Sequence, residues 1–311
     1  MQKNVYLVLT LFVCQLSFGQ KIEKVYLDAR DSSANMYIAV APESGRIDAF
    51  MFLLDGFENY SLQNILVQTD LPRRASELGI LTIMPILKTG PLYFGSDKAS
   101  QQSLKEMIEG VVSKYQLKGK AFYIGGFSIG GTCVVKYAEL AVQKNYPVKP
   151  KAVFAVDPPL DWERYYFAAK RVVRLTDPSK GNAEVTYMID RIRKEMGGSP
   201  ETIRANYYTD SPYSYSDTTQ TAIKPLARTP VMIISEPDIQ WWLSQRGYDF
   251  SFINIADQAA MINELQKLGN QQAILVTTTG KGFRQPGNSR HPHSWSIVDP
   301  EKTIKWLQSQ N

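Results

Sequence analysis

Apolar residues recur along this chain in two rhythms, one of period two and one near 3.6. Residues 22–29, 36–41 and 47–54 alternate or run apolar in the manner of β-strands, and the breaks between them, Asp31-Ser32-Ser33 and Pro42 to Gly45, are turn-forming. The third, Ile47 to Leu54, is apolar almost throughout, as a strand covered on both faces would be. A helix is predicted over Ser61 to Leu78 with a restart at Pro72, then a strand over Ile80 to Ile86 and a helix over Ala99 to Tyr115. A short strand, Ala121 to Ile124, leads through a sharp turn into a helix starting near Ile129, where Val134, Val135, Ala138, Leu140 and Ala141 keep one face apolar. Ala152 to Val156 reads as the sixth strand.

There the alternation of strand and helix stops. Residues 157–224 carry no convincing strand but three helical patterns: Trp162, Tyr165, Tyr166, Ala169, Val172 and Val173; Val185, Met188, Ile189, Ile192 and Met196; and Pro200 to Tyr208. This predicts a helical cap inserted after the sixth strand, separating a first core part (20–156) from a second (225–311). Insertions of this kind shape a pocket without disturbing the sheet. The run Tyr207, Tyr208, Tyr213, Tyr215 has two readings: it lines a substrate groove suited to a bulky or carbohydrate-linked group, or it packs the cap against the body. The alternation resumes with a buried strand over Pro230 to Ser235, a helix over Ala256 to Gly269 and a strand over Gln272 to Thr278. A loop rich in Gly and Pro, Gly280 to Arg290, precedes a final helix from about Asp299 with Ile304, Trp306 and Leu307 on its apolar side.

The first residues stand apart from this pattern. Lys3, the apolar stretch Val5 to Val13 and the small residues around Ser17-Phe18-Gly19 read as an export signal over residues 1–19, leaving a chain that begins at Gln20 and is secreted or periplasmic. Two alternatives stay open there: a lipid-modified Cys14, although Val13 stands where a small residue is expected, and an uncleaved anchor. Without the signal, Cys133 is the sole cysteine, so no intrachain disulfide forms and the core must stabilise the fold. The 35 Lys and Arg against 30 Asp and Glu are spread without a basic block, which points to neither nucleic acid nor an anionic membrane surface. With two histidines and one remaining cysteine, a zinc site is not expected.

The turn after the fifth strand carries the chemistry. Gly126-Phe127-Ser128-Ile129-Gly130 fits G-x-S-x-G in the setting the motif requires, an apolar strand before and a helix after. A serine hydroxyl at its ordinary pKa is a poor nucleophile, so it must be pushed out where a base can reach it, and only glycines let strand and helix cross that closely. Ser128 also stands at a helix N-terminus, where the amide of Ile129 can face a developing oxyanion. At these residues the chain resembles the α/β-hydrolase superfamily, and within it a secreted bacterial serine esterase. The resemblance covers essentially the whole chain after the signal in architecture, though only the turn is a specific motif.

The resemblance implies a mostly parallel sheet flanked by helices and a triad in the chain order Ser, acid, His. It places the acid after the strand Pro230 to Ser235, which selects Asp238 with Glu236 as the alternative, and the base in the C-terminal loop, which selects His293 over His291. The loop after the third strand, Asp55-Gly56-Phe57, would supply a second oxyanion amide from Phe57. Tyr93, Phe94, Trp241 and Trp242 are candidate substrate-binding residues, each with packing as its alternative. The expected activity is hydrolysis of a small-molecule or glycan-linked ester through an acyl-enzyme, with no cofactor. Acyl transfer, peptide hydrolysis and a non-catalytic binding role on the same scaffold are the alternatives.

Overall fold

The computed structural model describes residues 21–28, 33–57, 63–176 and 182–310. The expectations for the export signal and Cys14 lie outside them. Among the described residues, eight strands form one sheet: β1 (Ile22–Tyr26), β2 (Met36–Val40), β3 (Ala49–Leu54), β4 (Ile80–Ile86), β5 (Ala121–Phe127), β6 (Ala152–Val156), β7 (Val231–Ser235) and β8 (Ala273–Thr277). Their spatial order is β1-β2-β4-β3-β5-β6-β7-β8. The first two join antiparallel, and from β4 to β8 all neighbours are parallel.

Burial follows from this order. Every residue of β3, β4, β6 and β7 is buried, because helices cover both faces of the middle of the sheet. One face is covered by α1 (Gln63–Gln68), α2 (Leu71–Glu77) and, at the far end of the chain, α10 (Pro300–Ser309), which bring Ile65, Leu71, Ala75, Ile304 and Leu307 against the strands. The helix expected over Ser61 to Leu78 is thus two helices. The break falls at Asp70, and Pro72, which lacks an amide hydrogen, sits in the first turn of α2. The other face is covered by α3 (Lys98–Lys114), α4 (Ile129–Gln143) and α9 (Ile255–Lys267) through Leu104, Val134, Met261 and Leu265. Each large side chain wholly withdrawn here, such as Phe50 or Phe52, contributes about 2 kcal/mol by the area it hides from water.

Between β6 and β7 lie α5 (Trp162–Leu175), α6 (Ala183–Met196) and α7 (Pro200–Asp210). Their apolar stripes meet one another and the body through Trp162, Tyr166, Met188 and Ile192. Tyr207 and Tyr213 are buried in the same core, their hydroxyls donating to the Gly198 carbonyl and to Glu264 of α9. Tyr215 is exposed. Tyr207 and Tyr213 therefore pack the cap rather than line a groove. A further helix, α8 (Ile239–Arg246), follows β7 in a stretch for which the sequence pattern predicts no element. Among the described residues, no helix is long and apolar enough to cross a membrane.

Candidate active site

Ser128 stands where β5 turns into α4, held in a backbone conformation that side chains rarely adopt, with φ 53° and ψ −124°. Such a residue costs about 1–3 kcal/mol and persists only when its surroundings impose it. Here they do. A Cβ on Gly126 would lie 2.3 Å from the Gly130 carbonyl oxygen, and one on Gly130 would lie 2.4 Å from the carbonyl oxygens of Leu54 and Asp55. Strand, helix and the end of β3 therefore touch backbone to backbone. The Ser128 amide donates to the Val156 carbonyl at 2.9 Å, fixing the turn to the end of β6.

His293 reaches Ser128 from the C-terminal loop: its Nε2 lies 2.9 Å from the Ser128 Oγ, and its Nδ1 lies 2.6 Å from Oδ2 of Asp157. The loop is tied down at several points. Glu236, buried at the end of β7, accepts from the amides of Lys281 and Gly282 and from the Thr278 hydroxyl, and pairs with Arg290 at 2.6 Å. Ser296 accepts from the Phe283 amide and donates to the Lys281 carbonyl. Next to His293, the Trp295 indole donates to Asp55 Oδ1, which also accepts from the Gly56 amide. The loop carrying the imidazole is thereby fastened to the loop after β3.

The carboxylate behind His293 is Asp157, not Asp238. Asp157 is buried one residue past β6, also at positive φ (46°), and its Oδ1 accepts from Ser235 Oγ and Gln258 Nε2, each at 2.8 Å. Burial alone would raise its pKa. The hydrogen bond and charge of His293, then the bonds from Gln258 and Ser235, outweigh that and hold the carboxyl below its usual range. An ionised carboxylate can only accept, so Nδ1 carries the ring proton. In the neutral ring Nε2 then accepts from the Ser128 hydroxyl, the state a general base requires. Asp238 instead caps α8 by accepting from the Trp241 amide and pairs with Arg290 at 2.6 Å, and Glu236 is spent on the loop.

Sheet order explains the correction. β6 is the immediate neighbour of β5, whereas β7 is one strand further away, and each step across a sheet is about 4.8 Å. A carboxylate at the end of either strand preserves the order Ser, acid, His. The available signal was Asp157 itself, an acidic residue directly after a buried strand and followed by two prolines.

His291 is not the partner of Ser128. Its ring packs beside Trp241 and Trp242, with centroids 4.6 and 5.6 Å away, and burial, then the Arg284 charge, pulls its pKa from 6.5 down to about 3. A cavity of about 200 Å³ opens over Ser128. The cap contributes Tyr165, Val185 and Met188 to its wall, and the body contributes Phe57, Trp242 and Phe252. Of the aromatic candidates, Trp242 lines this cavity. Trp241 braces His291, Tyr93 stands edge-on to Phe57 at 6.1 Å, and Phe94 is a core residue stacked on Trp162 at 4.5 Å. The Gly56 backbone runs beside Ser128, where an added Cβ would lie 3.4 Å from the serine Cβ, so the Phe57 segment borders the nucleophile.

No protein-family model matches the sequence, and no curated protein matches it. Solved structures are similar in fold. An S-formylglutathione hydrolase from Agrobacterium tumefaciens aligns with a TM-score of 0.58 at 14% identity, over 94% of this chain and 96% of that one. Carboxyl esterase 2 from Tuber melanosporum aligns with a TM-score of 0.59 at 14% identity, over 96% and 90%. A soluble variant of monoglyceride lipase from Saccharomyces cerevisiae aligns with a TM-score of 0.51 at 14% identity, over 94% and 96%. The chain has the α/β-hydrolase fold.

Proposed function

We propose that this protein is a serine hydrolase that cleaves a carboxylic ester through an acyl-enzyme, with Ser128 as nucleophile, His293 as general base and Asp157 as the acid that orients it. One observation carries the reading: the continuous hydrogen-bond chain from Ser128 Oγ to His293 at 2.9 Å and on to Asp157 at 2.6 Å, at the floor of an open cavity. In this reading Ser128 Oγ attacks the ester carbonyl as His293 Nε2 takes its proton, and Asp157 stabilises the imidazolium. The oxyanion faces the amides of Ile129, first residue of α4 and so without an intrahelical acceptor, and of Phe57. Collapse of the tetrahedral intermediate breaks the C–O bond, and the alcohol leaves with the proton from His293. Water, deprotonated by the same imidazole, then releases the acid and free Ser128. No step calls for a cofactor.

The pattern of residues 1–19 supports a further part of the proposal, that the enzyme is exported and acts in the periplasm or outside the cell. The substrate is a small-molecule ester. Of the tyrosines behind the expectation of a glycan-linked group, Tyr207 and Tyr213 are engaged in packing, which leaves that expectation without support from those two. The test is turnover of p-nitrophenyl acetate together with labelling by a fluorophosphonate. Ser128→Ala is expected to abolish labelling and to lower kcat by several orders of magnitude, with an unchanged circular dichroism spectrum. Undiminished turnover in that variant would remove Ser128 from the mechanism.

A further inference from the structure

Two arginines stand on the wall of the cavity over Ser128: Arg246, in the last turn of α8, and Arg284, on the loop that carries His293. Both are exposed at the cavity mouth, whereas the half-buried Arg164, Arg191 and Arg290 are engaged by carboxylates, by Asp257, by Glu195 and by Glu236 with Asp238. Among the described residues, neither Arg246 nor Arg284 has a carboxylate oxygen at ion-pair distance. Arg284 donates from Nε and Nη2 to the His293 carbonyl at 3.3 and 3.1 Å, which fixes its guanidinium beside the base and leaves Nη1 over. The two cations feel each other: burial, then the charge of Arg246, lowers the Arg284 pKa, and both charges help to keep His291 neutral.

Like charges on one cavity wall repel each other in the empty site, and the repulsion is relieved when an anion enters. A position near a helix C-terminus would favour a cation at Arg246 in any case, but it does not account for a second cation facing the same cavity. Glu184, in the first turn of α6, is the one carboxylate on this wall besides Asp157. Asp157 is committed to His293, so the three remaining charged groups, two positive and one negative, leave one positive charge. That balance matches a monoanion, and a guanidinium offers paired donors to both oxygens of a carboxylate.

We infer that the ester turned over at Ser128 carries a free carboxylate, held by Arg246 and Arg284. This deepens the serine-hydrolase reading and rests on it. The experiment pairs each anionic ester with its neutral carboxamide on the full-length protein. One pair places the charge on the acyl side, 4-nitrophenyl hemiadipate against its terminal carboxamide. The other places it on the leaving alcohol, 3-(4-acetoxyphenyl)propanoate against its carboxamide. The readout is the ratio of kcat/KM within each pair, corrected for spontaneous hydrolysis, so that general damage to a variant cancels.

The anionic member of at least one pair is expected to be favoured by about tenfold or more, and the preference is expected to shrink with added salt. Arg246→Gln and Arg284→Gln should each move the ratio toward one, and Glu184→Gln should raise it. Ratios near one in the wild type for both pairs, or ratios that neither arginine substitution alters, would overturn the inference. Loss of the hydrolase reading is separable. If no ester is turned over at all, binding of glutarate to the Ser128→Ala protein by calorimetry still judges the anion site: binding weakened by Arg246→Gln upholds it, and no binding overturns it.

Discussion

Asp157 and Asp238 both lie just past the ends of neighbouring buried strands, yet only Asp157 meets an imidazole, and its surroundings show what that placement requires. Ser235 and Gln258 saturate the oxygen that His293 leaves unused, so the carboxylate stays ionised although it is buried. Asp157→Asn replaces an acceptor with a donor at Nδ1 and favours the wrong tautomer, and kcat for p-nitrophenyl acetate is expected to fall on the order of 10⁴-fold. Asp238→Asn should stay within a few-fold of wild type. The reverse ranking would return the acid role to Asp238. Ser128 and His293 were legible in the sequence because the motif is local and only two histidines exist. Asp157 was not, because strand adjacency is a property of the folded sheet and both aspartates satisfy the same chain order. The other histidine yields a stability test. Its pKa falls from 6.5 to about 3 inside the fold, so the stability tied to its neutral ring is whole above pH 6.5 and drains away as pH falls toward 3. His291→Gln should flatten the decline in urea midpoint between pH 7 and pH 4, and parallel declines would mean that the ring is not held neutral.

At the scale of elements, strands and helices with a clear apolar rhythm were readable to within a few residues, as β3, β4, β6, β7 and α3 illustrate. The helix α8 was not, since it buries no residue and so carries no apolar stripe for periodicity to detect. Its ends are set by local chemistry instead, with Asp238 at the N-cap and Gly247 in the left-handed conformation at the C-terminus. The loop from Gly280 to Arg290 reads as irregular, but the structure pins it through one buried side chain. Glu236→Ala would strip acceptors from the Lys281 and Gly282 amides and leave Arg290 with the Asp238 carboxylate and the Gly282 carbonyl. A loss of about 3 kcal/mol is expected from that broken buried pair. Because His293 rides on the same loop, kcat should fall while KM changes little, and urea titration with steady-state kinetics on one preparation measures both. Lost stability with wild-type kcat would show that the loop holds the imidazole by other means.

For the molecule as a whole, the cavity is a seam between cap and body, with Ser128 and His293 on one side and Tyr165, Val185 and Met188 on the other. The insertion of a cap was legible in the loss of alternation after Val156, but how it is fastened was not, because the fastening joins residues nearly a hundred positions apart. Arg164 of α5 forms a two-pronged pair with Asp257 of α9 and donates to the Ser251 carbonyl, while Asp257 accepts from the amides of Leu160 and Asp161 at the root of the cap. Asp161 lies in the same cluster. Its burial, then the charge of Asp257, raises its pKa to about 7. Arg164→Met removes the cation from two buried carboxyl groups, and a loss of about 3–5 kcal/mol is expected. A raised carboxyl contributes stability that is full below its unfolded pKa and lost as pH rises through the folded value. With the guanidinium gone that folded value rises further, so the deficit of Arg164→Met relative to wild type should grow from pH 5 to pH 8. Tyr165 adjoins the missing group and forms part of the cavity wall, so KM for p-nitrophenyl acetate should rise several-fold, with Arg164→Lys recovering part of it. A deficit independent of pH, with KM unchanged, would mean that the cap is held to the body by its other contacts, such as the Tyr213 hydroxyl on Glu264.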